Sequence, residues 1–211
     1  DHVTVKLQHR STANGAWTDV PSGTYDLKAG ESWSHTWTDL PKIDGTTGND
    51  WKYRGVEASY TLKADKGGAT VPASYATAND PTSGTVGAYA YASKVDTAAK
   101  TTELDNTLIT GTVDASKKWD DDNNRDNVRP DKVTLTLSAA GTQGLTLPTM
   151  DDHEITVTTT GTAEDLAAGE PTSWTGLPVF DASGTKISYT VGGYSSTGYI
   201  RSDMAYVLTK T

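Results

Sequence analysis

The chain of 211 residues carries one pattern twice, and this repetition constrains its fold more than any other feature. An alternating stretch opens each half, at 1–7 and again at 131–137. A Trp-Thr-x-Leu-Pro segment follows at 37–41 and at 174–178, and a tyrosine stands after each segment, Tyr53 and Tyr189. The offset between the halves runs from 130 residues (1 to 131) to 137 (37 to 174). Self-similarity at a nearly fixed offset indicates tandem copies of one domain, and domains in series commonly serve as spacers or stalks.

Within each copy, apolar residues alternate with polar ones, as in Val3, Val5 and Leu7. A period of two is typical of strands with one buried face, so we predict an all-β chain of antiparallel sandwiches. The landmarks place a first domain at 1–108 and a second at 109–211. A stretch at about 63–100 belongs to the first copy alone, and we interpret it as added strands or as a long surface loop.

Composition excludes several classes of function. The chain has no cysteine, a formal net charge of −9 and a pI near 4.8, which argues against nucleic acid as a partner. No apolar run approaches the roughly 18 residues that span a bilayer, so we predict no membrane insertion in this segment. We find no paired carboxylates in a motif and no nucleophile with a base, so we predict neither an enzyme acting on an external substrate nor a cofactor.

The second copy is preceded by a distinctive segment at 117–131, Lys-Lys-Trp-Asp-Asp-Asp-Asn-Asn-Arg-Asp-Asn-Val-Arg-Pro-Asp. Together with the following strand, the Trp-Thr-x-Leu-Pro segment and Tyr-Thr-Val at 189–191, it resembles the Cna B-type domain of Gram-positive adhesins and pilins. The resemblance covers the second copy almost completely and the first copy from its second strand onward. It implies immunoglobulin-like, reverse-Ig sandwiches, an extracellular location and a cell-wall anchor outside this segment.

The resemblance also implies an intramolecular isopeptide bond, in which a lysine on the first strand joins an asparagine or aspartate on the last strand. A buried acid between them moves the protons. Burial favours a neutral, nucleophilic amine and a neutral carboxylic acid, and proximity supplies the rest. In the first copy, Glu57 stands at the family position of the acid, four residues after Tyr53, and Asn106 stands at that of the acyl partner.

The lysine of the first copy is missing, because its strand would precede Asp1. Three sources are open: another strand of this chain with Lys63, Lys94 or Lys100, a strand from a second molecule, or a lost N-terminal piece. The abrupt start favours the lost piece.

The second copy has the opposite deficiency, because Lys117 stands at the family position but its partners do not. Gly193 occupies the place of the acid and Lys210 that of the asparagine. We therefore predict that Lys117 is unbonded and that this copy contains no isopeptide bond.

Two other sequence features have simpler interpretations. The acidic run at 120–126 offers oxygen ligands for calcium, but it lacks the central glycine and final glutamate of an EF-hand loop, so we predict no metal site. Five tryptophans suggest a sugar-binding platform, yet large aromatics at repeated positions are more typical of a core: Trp33, Trp37, Trp51, Trp119 and Trp174.

The leading functional hypothesis is a structural stalk segment of a surface adhesin or pilin, with neighbouring domains of the same protein as its partners. The first alternative is a binding module whose surface, or whose 63–100 stretch, recognises a host extracellular-matrix protein or a glycan. The second alternative is an accessory sandwich attached to a secreted carbohydrate-active enzyme.

Overall fold

A computed structural model describes residues 1–77, 80–115, 125–127, 129–130, 132–142, 144–156, 172–193 and 204–206. The chain divides into two compact units, Asp1–Ile109 with Ala182–Thr185, and Thr110–Asp181 with Lys186–Thr211. Every extended element in the described residues is a β-strand, and the only helices there are two 3₁₀ turns, Ala29–Glu31 and Ala64–Lys66. No described helix is long and apolar enough to cross a membrane. The prediction of an all-β chain is confirmed.

The first unit is built on one antiparallel sheet with the strand order β2-β1-β3-β4-β5-β6-β7. Its strands are β1 His2–Arg10, β2 Thr18–Leu27, β3 Lys52–Thr61, β4 Thr70–Thr77, β5 Asp80–Val86, β6 Tyr89–Asp96 and β7 Thr101–Leu108. The segment that the sequence left open as strands or loop therefore forms β4, β5 and β6.

Beyond β3 the sheet of the first unit folds back, so that β6 and β7 lie against β3. β4 pairs with β3 only at Ser59–Thr61, and side chains of β6 and β7 reach back to the unpaired part of β3. The core between these strands centres on four buried side chains, Tyr60, Val71, Val86 and Tyr91. Both faces of β3 are covered as a result, since Val56 and Glu57 point to opposite sides and are 1% and 0% exposed.

The second unit has a four-stranded sheet, β10-β9-β12-β13, and a two-stranded sheet, β11-β8. Its strands are β8 Thr110–Ala115, β9 Lys132–Ala140, β10 His153–Thr156, β11 Thr172–Pro178, β12 Ser188–Gly193 and β13 Met204–Tyr206. Alternation again buries one face of β9, through Val133, Leu135 and Leu137.

Strand pairing repeats between the units at the offsets found in the sequence. In the first unit Tyr53 lies opposite His9 and Glu57 opposite Val5. In the second, Tyr189 lies opposite Ala139 and Gly193 opposite Leu135. The two units thus share one pairing between their central strands.

A hydrogen bond from the tyrosine of each copy repeats as well. The hydroxyl of Tyr53 donates to the carbonyl of Pro41 at 2.7 Å, and that of Tyr189 donates to the carbonyl of Pro178 at 2.9 Å. The repeated segments differ in one respect, because 174–178 lies in β11 and pairs with β8, whereas 37–41 is in no strand.

Candidate functional site

Glu57 is the most unusual buried group of the first unit. It lies in the middle of β3, opposite Val5 of β1, and its side chain is fully buried. Burial raises the pKa of Glu57 from 4.5 to about 7, because a carboxylate loses its hydration there, and a hydrogen bond from Asn106 opposes that rise. Near neutral pH, both the protonated and the deprotonated form of this carboxyl are therefore populated.

Asn106 of β7 is the direct partner of Glu57. Its Nδ2 donates to Glu57 Oε2 at 2.8 Å, although the residues are 49 positions apart in sequence. Asn106 as a residue is exposed, whereas the carboxyl that its amide contacts is fully buried. The other carboxyl oxygen, Oε1, is buried and has no hydrogen-bond partner in the described part of the unit. A neutral acid at this place can give a proton to the amide nitrogen and take one from an incoming amine.

The described lysines of the first unit lie elsewhere. Lys6 Nζ donates to Asp19 Oδ2 at 3.0 Å, and Lys63 Nζ stands 3.9 Å from Asp1 Oδ2. Within residues 1–77 and 80–115, neither Lys94 nor Lys100 forms a hydrogen bond or ion pair with Glu57 or Asn106. The structure thus brings the predicted acid and amide together, and it places no described amine beside them.

The corresponding place in the second unit is apolar. Gly193 lies opposite Leu135, and a Cβ at residue 193 would stand 3.2 Å from Leu135 Cδ2. Leu135, which stands where the first unit has Val5, thus occupies the space beside the missing acid. Lys117 and Lys210 lie outside the described residues, and so do 120–124 of the acidic run.

The backbone of Glu57 is held by groups that the sequence did not single out. Four side-chain hydroxyls form hydrogen bonds with the main chain of β3, those of Tyr75, Tyr91, Ser93 and Thr102. They come from β4, β6 and β7, and no sequence motif marks them as neighbours of the acid.

Of the five tryptophans considered above, four are described by the structure, and only Trp174 lies in the core as the sequence predicted. Trp174 is buried and its Nε1 donates to the carbonyl of Asp151 at 2.8 Å. Trp37 and Trp51 are half-buried against His35 and His9, with ring centroids 4.8 and 4.2 Å apart. The core prediction is wrong for Trp33, which is 46% exposed. Trp33 comes shortly after the 3₁₀ turn Ala29–Glu31, and its own backbone is left-handed, with φ of 53°. Trp119 lies outside the described residues.

Among the described residues, no group of three or more His, Cys, Asp or Glu side chains could hold a metal ion. The buried Asp44 instead orders a turn, accepting hydrogen bonds from the Thr46 amide at 2.9 Å and the Thr47 hydroxyl at 2.8 Å. These bonds, together with one from Ser11, lower the pKa of Asp44 to about 2.

Comparison with known proteins places the chain in a family. The family model for the Cna protein B-type domain matches residues 1–74 and 113–211. A solved structure of a single B repeat unit (B1) of the collagen binding surface protein (Cna) of Staphylococcus aureus is similar to the chain at 19% identity. That alignment covers 93% of this chain and 76% of the other, with a TM-score of 0.31. No curated protein matches the chain. Since the family model matches more than half of its residues, the chain belongs to the Cna protein B-type domain family, and its units are immunoglobulin-like β-sandwiches of that type.

Proposed function

We propose that the chain is a structural stalk segment of a Gram-positive cell-surface adhesin or pilin, and that its first unit is of the isopeptide-forming type. The observation that carries the second part is the contact between the buried Glu57 carboxyl and the Asn106 amide. Under this proposal the segment is extracellular, its wall anchor lies outside 1–211, and it acts without a cofactor. Its partners are neighbouring domains of the same surface protein.

The reaction is a transamidation that needs a lysine from outside the described residues. The neutral amine attacks Cγ of Asn106, a bond forms between Nζ and Cγ, and the bond between Cγ and Nδ2 breaks. Glu57 delivers a proton to the leaving nitrogen and accepts one from the attacking amine, so that ammonia departs and the carboxyl is regenerated. The position of Oε2 at 2.8 Å from Nδ2 suits the proton delivery, and Oε1 remains to receive the proton.

The second unit is proposed to lack the bond. Gly193 has no group that could move a proton, and Leu135 fills the adjacent space. Its stability then comes from its core, and we expect it to unfold at lower force than a cross-linked domain.

A peptide experiment tests the isopeptide reaction whichever chain supplies the lysine in the native protein. The protein is mixed with a synthetic peptide of residues 110–121, which carries Lys117, and is analysed on a denaturing gel and by intact mass. We expect an adduct whose mass is the sum of the two components less one ammonia. Glu57→Gln and Asn106→Ala should abolish it, and a peptide with both Lys117→Arg and Lys118→Arg should not react.

Absence of any adduct would remove the isopeptide assignment from the first unit. The assignment also fails if the adduct forms equally in the Glu57→Gln and Asn106→Ala proteins, because the bond would then arise elsewhere.

The alternative function is recognition of a host matrix protein or a glycan. Two large apolar side chains of the first unit support it, since Trp33 and Ile43 are 46% and 48% exposed, and the similar solved protein is named for collagen binding. Binding of the chain to immobilised collagen or to a glycan array, lost in Trp33→Ala, would favour this function. A stalk alone should bind neither.

A further inference from the structure

The central strands, β3 in the first unit and β12 in the second, differ in the pairing of one edge. This edge lies opposite the one that pairs with β1 in the first unit and with β9 in the second. In the second unit, this edge of β12 is paired with β13, with Tyr189 opposite Tyr206. In the first unit, the corresponding edge of β3 around Gly55 and Glu57 is not paired with a strand in the described residues, because β4 joins β3 only from Ser59 onward. An unpaired edge inside a packed unit must find other hydrogen-bond partners.

Four side-chain hydroxyls, here called the hydroxyl edge, supply these partners. The amide of Glu57 donates to Tyr91 Oη at 3.0 Å, and Tyr75 Oη donates to the carbonyl of Glu57 at 2.8 Å. The next residue of the same edge is held likewise: the amide of Gly55 donates to Thr102 Oγ1 at 3.0 Å, and Ser93 Oγ donates to its carbonyl at 3.1 Å. Both main-chain groups of Glu57 are therefore fixed by tyrosines.

The same strand pair that fixes the main chain of Glu57 also presents its amide partner. Tyr91 of β6 lies directly opposite Asn106 of β7, so one cross-strand pair holds the acid through its backbone and through its side chain. Tyr91 is 2% exposed, which leaves its hydroxyl little freedom to exchange partners with water.

The second tyrosine depends on a glycine for its position. Tyr75 of β4 lies opposite Gly84 of β5. A Cβ at residue 84 would come within 2.1 Å of the carbonyl oxygen of Ser74 and 2.7 Å of the Tyr75 Cα. Glycine at residue 84 thus allows the backbone of β5 to lie close to the backbone of β4 at Tyr75.

We propose that Tyr91 and Tyr75 are positioning residues for Glu57, and that the stretch at 63–100 braces the reacting acid rather than forming a ligand-binding module. This inference rests on the proposed isopeptide function. Three of the four hydroxyls, those of Tyr75, Tyr91 and Ser93, come from that stretch, which the second copy lacks together with the acid. A transamidation between groups held at contact distance depends steeply on placement, so a fixed backbone at the acid contributes directly to rate.

The test compares Tyr91→Phe and Tyr75→Phe with Tyr89→Phe as the matched control. Tyr89 also lies in β6, and its ring packs edge-to-face on Tyr60 at 6.1 Å, without a hydrogen bond from its hydroxyl in the described residues. Two quantities are measured: the rate of adduct formation with the 110–121 peptide, and the pKa of the Glu57 carboxyl by carbon-13 NMR together with exchange of its amide proton.

We expect Tyr91→Phe and Tyr75→Phe to slow the adduct by about tenfold to a hundredfold, to speed exchange of the Glu57 amide and to lower the pKa of Glu57 as water gains access. Tyr89→Phe should match wild type in all three. Lys6, Asp19 and Arg54, the charged groups that act on Tyr75 besides Glu57, are retained in every variant. If Tyr91→Phe folds poorly, Thr102→Val removes a hydroxyl of the same edge with little change of shape and should slow the adduct in the same direction.

The outcomes separate this inference from the function on which it rests. If wild type forms no adduct but the phenylalanine variants alter the exchange and pKa of Glu57, the positioning role stands and the isopeptide function fails. If wild type reacts and the variants match it in rate, exchange and pKa, the isopeptide function stands and the positioning role is refuted.

Discussion

Replacing Glu57 by glutamine should make the first unit more stable at high pH and leave it nearly unchanged at low pH. The pKa of Glu57 is raised from 4.5 to about 7 by burial. Each pKa unit corresponds to about 1.4 kcal/mol, so ionising Glu57 costs about 3 kcal/mol more in the folded protein than in the unfolded chain. Glutamine has nearly the same shape and never ionises.

The direction of the pH dependence follows from proton binding. Below pH 4.5 the carboxyl is protonated in both states, and the folded protein carries no penalty. Between pH 4.5 and about 7 the unfolded chain releases this proton while the folded protein still holds it, so the stability falls across that range and levels off above it. The free energy of unfolding of wild type should therefore fall by about 3 kcal/mol between about pH 4 and about pH 8, relative to Glu57→Gln.

Urea-induced unfolding of wild type and Glu57→Gln in buffers from about pH 4 to about pH 8 measures this difference. Glu103→Gln is the matched control, because Glu103 is an exposed acid on β7, the strand that carries Asn106, and it should follow wild type throughout. A difference between wild type and Glu57→Gln that stays constant with pH would refute the reasoning. Greater stability of wild type at high pH would show that a cation pairs with the carboxylate.

Three further changes should act through packing and hydrogen bonds. Gly84→Ala should destabilise the first unit by about 2 kcal/mol in thermal unfolding, because its Cβ would meet backbone atoms, whereas Gly45→Ala, with no atom within 4 Å, should have little effect. Tyr189→Phe should destabilise by about 1–3 kcal/mol and Tyr53→Phe by less, because only the first leaves a buried carbonyl unpaired; equal losses would contradict this. Asp44→Asn should remove a stabilisation that exists above pH 3.8 and is lost as pH falls through about 2, so acid titration of wild type and variant should converge at the lowest pH.

The repetition and the strand class of this protein follow from local sequence patterns. The offsets of 130 to 137 residues predicted two copies, and the paired strands β1–β3 and β9–β12 keep those offsets in their pairing. Such patterns are local, because a period of two follows from the pleat of any strand with one buried face. The motif positions also named Glu57 and Asn106, whose chemical roles remain predictions.

The environment of Glu57, in contrast, depends on tertiary packing. Alternation places Val56 and Glu57 on opposite faces of β3 and cannot say which face is buried, and in the folded unit both are. Burial of both faces depends on β4–β7 covering β3. The same packing brings Asn106, 49 residues away in sequence, to the Glu57 carboxyl, and it brings the hydroxyls of Tyr75 and Tyr91 to the main chain of Glu57. Desolvation arises from packing between segments distant in sequence, and no local pattern encodes it.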